Sequence, residues 1–246
     1  MDRMLYVAMS GAKQTMQAQT ANSNNLANAT TNGFRADLAA FRSQPVFGPG
    51  APTRVYAMME RPGVDLTAGV INSTGRELDV AIKGDGWIAV QAADGSEAYT
   101  RAGNLKIGDG GLLVTGSGAP VMGNGGPIAL PDAQKIEIGT DGTISIRGIG
   151  QAASTLTTLD RIKLVTLDKT QLSKGTDGLI HLDSGQQAVP DASVTLVSGA
   201  LEASNVSSVE SMVNMIALAR QYEAQVKMMT AAKDADEQST QLLSMA

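Results

Sequence analysis

The sequence predicts an α+β protein that is mostly β, and three observations support this class. Residues 1–30 follow a helical spacing, residues 207–243 follow a second one, and the residues between them are glycine-rich with short runs of alternating polarity. We expect the two terminal helices to pair in a coiled-coil-like layer, with a small extended connecting domain and a compact antiparallel β domain inserted between them. Such a layout is typical of a subunit of an assembly rather than of an enzyme.

The composition narrows the class further. The 246 residues include 19 basic and 24 acidic side chains, for a net charge of −5, and neither sign forms a long run. Nucleic-acid binding requires a basic stripe, so we expect none. There is no cysteine, and hence no disulfide. The first residues lack the parts of a secretory signal, and no apolar run approaches the roughly 18 residues of a membrane span, so we expect neither a cleaved signal nor membrane insertion.

The first element is a predicted helix of low intrinsic stability. Its thin seam repeats every seven residues and consists of Leu5, Ala12, Gln19 and Leu26, with Ala8, Thr15 and Asn22 between them. Four asparagines between positions 22 and 28 each cost roughly 0.6 kcal/mol relative to alanine, so the helix needs a partner. Their side chains are compatible with a solvated face, with a disordered tail, or with buried amides that set helix register in a packed assembly.

The chain is predicted to leave this helix through a stop and an extended connector. Asn32-Gly33 ends the helical pattern, with Gly33 in the left-handed C′ position and Phe34 folding back on the last turn. The prolines of residues 43–63 predict an extended connector; they are Pro45, Pro49, Pro52 and Pro62. A short strand pair is predicted from Val64 to Asn72.

From Leu78 the sequence alternates with a period of two, which predicts strands. Asp-Gly pairs between alternating runs predict hairpin turns. These pairs are Asp85-Gly86, Asp94-Gly95, Asp141-Gly142 and Asp177-Gly178, the last between Leu164/Leu167 and Leu179/Leu182. Residues 76–189 are therefore predicted to form one antiparallel β domain, and Val194 to Val197 a last strand.

The second helix is predicted to begin at a capping box, with Ser207 as the N-cap and Glu210 reaching back to it. Its apolar seam has a heptad spacing and consists of Met212, Met215, Ala219, Tyr222, Val226 and Met229. The pattern becomes polar at Lys233 and Asp236 and apolar again at Leu243. We expect the seam to be buried against another helix.

No residue pattern predicts catalysis. His181 is the only histidine, so it lacks a second ligand for a metal. The glycine-rich stretch 108–126 lacks the Gly-Lys-Ser/Thr of a phosphate-binding loop. The aspartates that could form a carboxylate pair mostly precede glycine in predicted turns; they are Asp79, Asp85, Asp94 and Asp109. We expect no catalytic residue, no metal and no cofactor.

Three groups of motifs lie in order along the chain. The N-terminal group is Ser10-Gly11-Ala12, Gln17, Asn24-Asn25-Leu26-Ala27-Asn28, Thr31-Asn32-Gly33-Phe34-Arg35 and Phe41. The central group is Leu78-Asp79-Val80-Ala81-Ile82, Gly84-Asp85-Gly86-Trp87 and Tyr99-Thr100-Arg101-Ala102-Gly103. The C-terminal group is Gly199-Ala200-Leu201-Glu202-Ala203-Ser204-Asn205-Val206, then Glu210, Met215-Ile216, Arg220, Tyr222-Glu223 and Lys227. Over essentially its whole length the chain resembles the bacterial flagellar rod and hook proteins. The pair Trp87-Ile88, where hook and distal rod proteins usually carry two phenylalanines, resembles the proximal rod type.

The resemblance implies a structural subunit of the proximal rod of the flagellar basal body, which spans the periplasm and transmits torque from the motor to the hook. It implies export through the flagellar type III apparatus without a cleaved signal. The implied partners are other rod proteins, further copies of this chain and the export apparatus. The implied domains are a terminal helical domain at 1–33 and 205–246, a connecting domain at 34–75 and 190–204, and the β domain at 76–189.

The expected assembly contacts lie on the two predicted helices and on the stop after the first. They are Asn24, Asn25, Leu26, Asn28, Gly33, Phe34, Met212, Met215, Ala219, Tyr222, Val226 and Met229. The alternatives are a distal rod or hook-type axial subunit, a β-domain protein directed at peptidoglycan, and a cytoplasmic coiled-coil adaptor. A peptidoglycan enzyme requires two carboxylates in a cleft. A binding module requires exposed aromatic residues, and aromatic residues of any kind form only 3% of this chain. The polar break at Lys233 disfavours the adaptor.

Overall fold

The computed structural model describes residues 3–45, 55–59, 63–150, 156–183 and 185–244. The chain is α+β, with two helices that pack together and a set of small antiparallel sheets. It divides into two compact units. The helical unit comprises residues 1–29, 36–65 and 206–246, and the β unit comprises residues 30–35 and 66–205. Neither helix, as far as its residues are described, combines the length and the apolar character that a membrane span requires.

Two antiparallel helices dominate the helical unit: α1 spans Arg3–Ala27 and α2 spans Ser208–Ser244. Their relative direction follows from two contacts, because Asn22 Nδ2 donates to Ser211 O at 2.7 Å while Gly11 faces Gln225. Among the described side chains of the helices, the buried ones are all small: Ala8, Ala12, Thr15 and Ala18 on α1, and Ser211 and Ala232 on α2. The predicted seam positions Ala8, Ala12 and Thr15 are thus buried, whereas Leu5 is exposed.

The end of α1 comes earlier than predicted. The asparagine amides account for this end, because Asn28 Nδ2 donates to Asn24 O at 2.9 Å and Asn25 Oδ1 accepts from the Asp37 N–H at 2.7 Å. Gly33 has a φ of +69°, as predicted, but it lies past a turn and is not the C′ residue of α1. Phe34 belongs to the β unit, where Lys174 Nζ lies 3.8 Å from the centroid of its ring.

The start of α2 agrees with the prediction, and within this chain the helix buries only part of the predicted seam. Ser207 Oγ accepts from the Glu210 N–H at 3.3 Å, which confirms the N-cap. Met212 is 54% exposed and Val226 is 37% exposed, so these two positions of the predicted seam are not buried within this chain. The face turned inward instead runs through Ser211, Met215, Leu218, Gln225, Met229 and Ala232. Apolar residues occur on two neighbouring stripes of this helix, and heptad spacing alone does not choose between them. The side chain of Leu243 lies outside the described part of the chain.

Two short strand pairs complete the helical unit. β1 (Asp37–Leu38) pairs with β4 (Gly63–Val64), and β2 (Phe41–Pro45) pairs with β3 (Val55–Met59), both antiparallel. Where it is described, the predicted extended connector is therefore a β-ribbon; Pro49, Pro52 and Pro62 lie outside the described residues. The short strand pair predicted from Val64 to Asn72 does not form by itself, because β4 pairs with β1 and the strand Ile71–Ser73 pairs with Ala200–Glu202 of the β unit.

The β unit contains the strands β5–β18. They are β5 (Ile71–Ser73), β6 (Val80–Lys83), β7 (Trp87–Gln91), β8 (Glu97–Thr100), β9 (Lys106–Ile107), β10 (Leu113–Val114), β11 (Ala133–Ile138), β12 (Thr143–Gly148), β13 (Thr157–Arg161), β14 (Leu164–Val165), β15 (Leu172–Lys174), β16 (Ile180–Leu182), β17 (Thr195–Ser198) and β18 (Ala200–Glu202). Single 3₁₀ turns lie at Asp109–Gly111 and Lys169–Gln171. The largest sheet has the order β14-β7-β8-β16-β15, a second has the order β11-β12-β13, and the pairs β9–β10, β6–β17 and β5–β18 stand beside them.

Three of the four predicted Asp-Gly turns join paired strands. Asp94-Gly95 joins β7 to β8, Asp141-Gly142 joins β11 to β12, and Asp177-Gly178 joins β15 to β16. The glycines have φ values of +84°, +85° and +79°, which explains their place in the turns. The strand before Asp177 is β15 rather than the predicted run at 164–167, which pairs with β7 instead.

The fourth turn is not a hairpin. β6, before Asp85-Gly86, pairs with β17 and not with β7. Val80, Ala81 and Ile82 are all buried, so β6 is covered on both faces and does not have the half-exposed pattern of a surface hairpin. The predicted last strand is confirmed as β17, and β18 follows it before α2.

A continuous apolar core fills the β unit. Its members come from eight of the fourteen strands and from the segments between them, and they include Val80, Ile82, Ile88, Val90, Leu105, Leu113, Val121, Ile128, Ile144, Ile162, Leu164 and Leu196. Aliphatic residues supply the core, as expected from a chain with so few aromatic residues.

Candidate functional site

A buried ionic cluster lies in the β unit. The carboxylate of Glu202 accepts from Arg35 Nη2 at 2.5 Å and from Arg101 Nη1 at 3.0 Å. The side chains of Arg35, Arg101 and Glu202 are only 2%, 4% and 1% exposed. Arg101 Nη2 also donates to Gly84 O at 2.9 Å. Charge-assisted bonds of this kind are strong and fix the orientation of both partners. These three residues are called the Arg–Glu cluster below.

Trp87 lies against both guanidinium groups of the cluster. Its ring centroid is 5.8 Å from Cζ of Arg35 and 5.3 Å from Cζ of Arg101, within the range of a cation–π attraction. Burial lowers the pKa of Arg101, and the nearby Glu202 carboxylate opposes that shift. An arginine nevertheless remains protonated at neutral pH. The cluster therefore holds two cations and one anion out of contact with water.

Glycines let the backbone approach the cluster. The Gly69 N–H donates to Glu202 Oε1 at 2.8 Å, and the Gly33 N–H donates to the backbone oxygen of Glu202 at 2.8 Å. A Cβ atom on Gly33 would lie 2.3 Å from the backbone nitrogen of Ala102. That distance is far below van der Waals contact, and the positive φ of Gly33 adds strain for any other residue. Only glycine fits at this position.

The cluster joins the places at which the chain passes between its two units. We call these the crossing segments; they are residues 30–35, 66–69 and 202–205 of the β unit. The Arg35–Glu202 ion pair links the first to the third, as does the bond from the Asn205 N–H to Phe34 O at 3.3 Å. Asn205 Nδ2 donates to Thr67 O at 3.2 Å and so links the third segment to the second. The crossing segments are therefore bonded to one another.

The predicted asparagines of α1 have partners within this chain. Asn24 Nδ2 donates to Asp37 Oδ2 at 2.6 Å, and Asn25 Nδ2 donates to Asp37 O at 2.9 Å. The Asn25 amide also accepts from the N–H of Asp37, so it bonds to both backbone polar groups of that residue. Asn28 bonds back to Asn24, and Leu26 is half-buried. Together these amides attach β1 to the end of α1.

Large apolar side chains are exposed on both helices. On α1, Met9 is 53% and Met16 is 61% exposed. On α2, Val209, Val213 and Ile216 are 71%, 60% and 57% exposed, and their spacing places them on one stripe. Of the predicted seam, Met215, Ala219 and Met229 are half-buried, whereas Met212, Tyr222 and Val226 are exposed. We call Val209, Met212, Val213 and Ile216 the outer stripe of α2.

Two of the side chains considered as catalytic candidates, His181 and Asp94, bond to residues of a neighbouring turn. No three His, Cys, Asp or Glu residues of the described part stand close enough to hold a metal ion. His181 Nε2 lies 3.2 Å from Asp177 Oδ2, across a turn. The Ser96 hydroxyl, and after it the Ser96 N–H, lowers the pKa of Asp94, which therefore stabilises its own turn.

A groove of about 320 Å³ in the helical unit, between α1 and the β2–β3 ribbon, is lined mainly by apolar residues such as Val7, Phe41 and Met228.

The Arg–Glu cluster is the feature that the sequence did not predict. Arg35, Arg101 and Glu202 lie 66 or more positions apart in different motifs, so no spacing rule connects them. One sequence property could have indicated them. Each is a charged residue inside a motif of mostly small or apolar residues, and charged residues are rarely buried without a partner.

Comparison with families of known proteins gives three matches along the chain. Residues 5–35 match the family described as flagella basal body rod protein, and residues 81–146 match the flagellar hook protein FlgE/F/G D1 domain. Residues 197–242 match the flagellar basal body rod FlgEFG protein C-terminal family. The Arg–Glu cluster takes one member from each matched region. Trp87 falls in the central one.

Three curated relatives illustrate the similarity. The flagellar basal-body rod proteins FlgF of Salmonella typhimurium strain LT2 and of Escherichia coli strain K12 are each 44% identical to this chain, over the full length of both partners. The flagellar basal-body rod protein FlgG of Bacillus subtilis strain 168 is 33% identical over 93% of this chain and 94% of its own. The resemblance to flagellar rod proteins is thereby confirmed. The chain belongs to the family of flagellar basal-body rod proteins, of the FlgF type, and is a structural subunit of the proximal rod.

Proposed function

We propose that this chain transmits torque along the proximal rod, from the motor toward the hook, as a subunit without catalytic activity. It reaches the rod across the periplasm through the flagellar type III export apparatus, without a cleaved signal. Its partners in the rod are other rod proteins and further copies of itself. The full-length similarity to FlgF proteins supports this proposal.

The proposal includes a division of labour along the chain. Residues 1–33 and 205–246 form a coiled-coil-like assembly domain, and residues 34–75 and 190–204 form a connecting domain. Residues 76–189 form an antiparallel β domain inserted between the ends. The antiparallel pairing of α1 with α2 supports the first part of this division.

One observation carries the assembly role most strongly. The described helix residues bury small side chains and leave many large apolar ones exposed, including Met16 at 61% and Val209 at 71%. A soluble monomer rarely keeps a contiguous apolar surface of this kind, and such surfaces mark contacts with other proteins. Because Met212, Tyr222 and Val226 are exposed in this chain, we expect them to contact neighbouring subunits in the rod. Met215, Ala219 and Met229, together with Asn24, Asn25, Leu26, Asn28, Gly33 and Phe34, then order the ends that carry those contacts.

The test uses a bacterial strain that lacks this gene and is complemented by variants. Val213→Asp places a charge on the outer stripe of α2, where an unpaired charge in a buried contact is strongly unfavourable. We expect it to be exported and to fold, yet to fail to enter the rod, so that the cells do not swim. The matched control is Val189→Asp, at a position of the β unit that is 81% exposed, and it should support normal swimming. Swimming Val213→Asp cells would contradict the proposed contact, and swimming of the strain without any gene copy would contradict the proposed function.

A further inference from the structure

We infer that the Arg–Glu cluster is a mechanical joint, which makes the crossing segments carry torque together rather than singly. The inference rests on the proposed torque-transmitting function. A single strand of backbone is a poor torsional element, because each residue has two soft dihedral angles that yield under a twist. Segments bonded side to side can twist only by breaking the bonds between them.

The geometry concentrates such bonds at the crossing segments. Glu202 alone binds Arg35 through one oxygen and Arg101 through the other, and its Oε1 also accepts from Gly69. The first crossing segment is further fastened from outside, because Lys174 Nζ donates to Arg35 O at 2.8 Å. Gly33 lies against the backbone of Ala102 with no space for a side chain. Each crossing segment therefore has at least one polar bond to another.

The Arg–Glu cluster consists of charged side chains, and this favours a role in holding the crossing segments in position over a role in stability alone. Arg35 Nε and Nη1 and Arg101 Nε are buried and have no hydrogen-bond partner among the described residues. Burying such groups costs stability, and apolar side chains of similar volume often serve stability better. Apolar surfaces can slide across each other, whereas a carboxylate held between two guanidinium groups has a fixed geometry.

The β unit offers a matched control, the pair of Glu97 and Lys163. Its Nζ–Oε2 distance is 2.8 Å, and the side chains are 3% and 10% exposed, so it is also a buried ion pair. Neither residue belongs to a crossing segment. Glu202→Gln and Glu97→Gln each remove one buried negative charge while keeping the shape of the side chain. If the Arg–Glu cluster only stabilises the fold, Glu202→Gln and Glu97→Gln should have the same effects on exchange and swimming once their free energies of unfolding are equal.

Two measurements on the full-length chain separate the roles. In the purified protein, amide hydrogen exchange at Gly33 and Asn205 reports the bonds between crossing segments. We expect Glu202→Gln to speed exchange at these amides by about tenfold or more beyond its effect on the rest of the β unit, because the opening is local. Glu97→Gln should change them only in proportion to the global stability.

In cells, the swimming speed is compared between dilute medium and medium of raised viscosity, which increases the load on the rod. Glu202→Gln cells should lose a larger fraction of their speed under load than Glu97→Gln cells do. If Glu202→Gln does not accumulate, Arg101→Lys takes its place, since lysine keeps the charge but cannot bind Glu202 and Gly84 with a fork. Equal losses of swimming speed in the cluster variant and the control, or unchanged amide exchange at Gly33 and Asn205, would contradict the proposal that the cluster is a joint. The complementation test of the strain without the gene separately decides the proposed function.

Discussion

The two units differ in the size of the side chains that they bury. The β unit buries Ile88, Leu113 and Tyr99 completely, whereas the fully buried side chains of α1 and α2 are alanine, threonine and serine. Burial of a large aliphatic side chain contributes about 1.5–3 kcal/mol, while an alanine methyl contributes under about 1 kcal/mol. The β unit therefore has an internal source of stability. We expect the stability of the helical unit to depend on the neighbouring subunits that cover its exposed apolar residues.

The largest expected effect is a difference in local stability between the units. In a monomer, amides of α1 and of the C-terminal half of α2 should exchange faster than those of β7 and β12 by a factor on the order of 10³ or more, because helices that bury only small side chains open without unfolding the β unit. Limited proteolysis should trim both ends and leave a core near residues 30–205. Uniform protection from end to end in a verified monomer would remove the distinction between the units.

Truncation of one isoleucine in each unit sharpens the same comparison. Ile144 is fully buried in the β unit, and Ile144→Ala should lower the free energy of unfolding by about 2–5 kcal/mol. Ile216 is 57% exposed on α2, and Ile216→Ala should change it by no more than about 0.5 kcal/mol. Urea denaturation of the full chain, followed by far-ultraviolet circular dichroism, measures both. A loss at Ile216 as large as that at Ile144 would mean that the outer stripe of α2 is already covered in the monomer.

Two glycines with similar backbone angles provide the next contrast. Gly33 and Gly75 have φ values of +69° and +73°, but a Cβ atom would meet backbone atoms at Gly33 and nothing within 4 Å at Gly75. Gly75→Ala should cost about 1 kcal/mol for the left-handed conformation alone. Gly33→Ala should cost about 3 kcal/mol, because the clash with residues 101 and 102 adds to the strain. Equal midpoints of urea denaturation for the two variants would show that the contact at Gly33 is not tight.

The smallest expected effect concerns Tyr99 at high pH. Its hydroxyl donates to Glu97 Oε1 at 3.0 Å and accepts from the Ala188 N–H at 2.8 Å, and burial raises its pKa to about 12. An unfolded tyrosine has a pKa of about 10, so above this pH the unfolded state loses a proton that the folded state keeps. Stability should therefore fall as the pH rises from about 10 toward 12.

Tyr99→Phe tests that dependence. The variant should lose about 1 kcal/mol at neutral pH through the missing hydrogen bonds, and less additional stability than the wild type at about pH 11. Tyr222→Phe, at an exposed position of α2, is the control and should keep the alkaline loss of the wild type. Denaturation midpoints at both pH values measure the effect. An identical alkaline loss in Tyr99→Phe would assign the dependence to another group.

Local rules in the sequence predicted the elements that depend on neighbouring residues. The Asp-Gly turns at 94, 141 and 177 require a left-handed glycine, and the cap at Ser207 requires a side-chain acceptor, so each is set by a few adjacent residues. The pairing of α1 with α2 was also predicted, because both ends of the chain have a helical spacing. The turns and the cap do not require knowledge of the rest of the fold, and the helix pairing required only that the β domain between the helices fold by itself.

Other features that depend on distant residues were not predicted. β6 pairs with β17 rather than with the strand that follows it, a choice made by burial on both of its faces. The inward face of α2 is set by its contact with α1 and not by its own heptad pattern. The Arg–Glu cluster depends on three chain regions that meet only after folding. Pairing between such regions is a property of the tertiary structure, and residue spacing holds no record of it.

Trp87 gives the molecule a built-in optical probe. It is the only tryptophan of the chain, and it lies at 6% exposure against both guanidinium groups of the Arg–Glu cluster. The wavelength and yield of indole fluorescence depend on nearby charges and on contact with water. The tryptophan fluorescence of this protein therefore reports on the surroundings of Trp87 alone. Selective excitation of tryptophan can therefore follow the cluster in the intact, unlabelled chain. A shift of that emission to longer wavelength, with the far-ultraviolet dichroism unchanged, would be the spectroscopic mark of a cluster that opens while the strands around it stay folded.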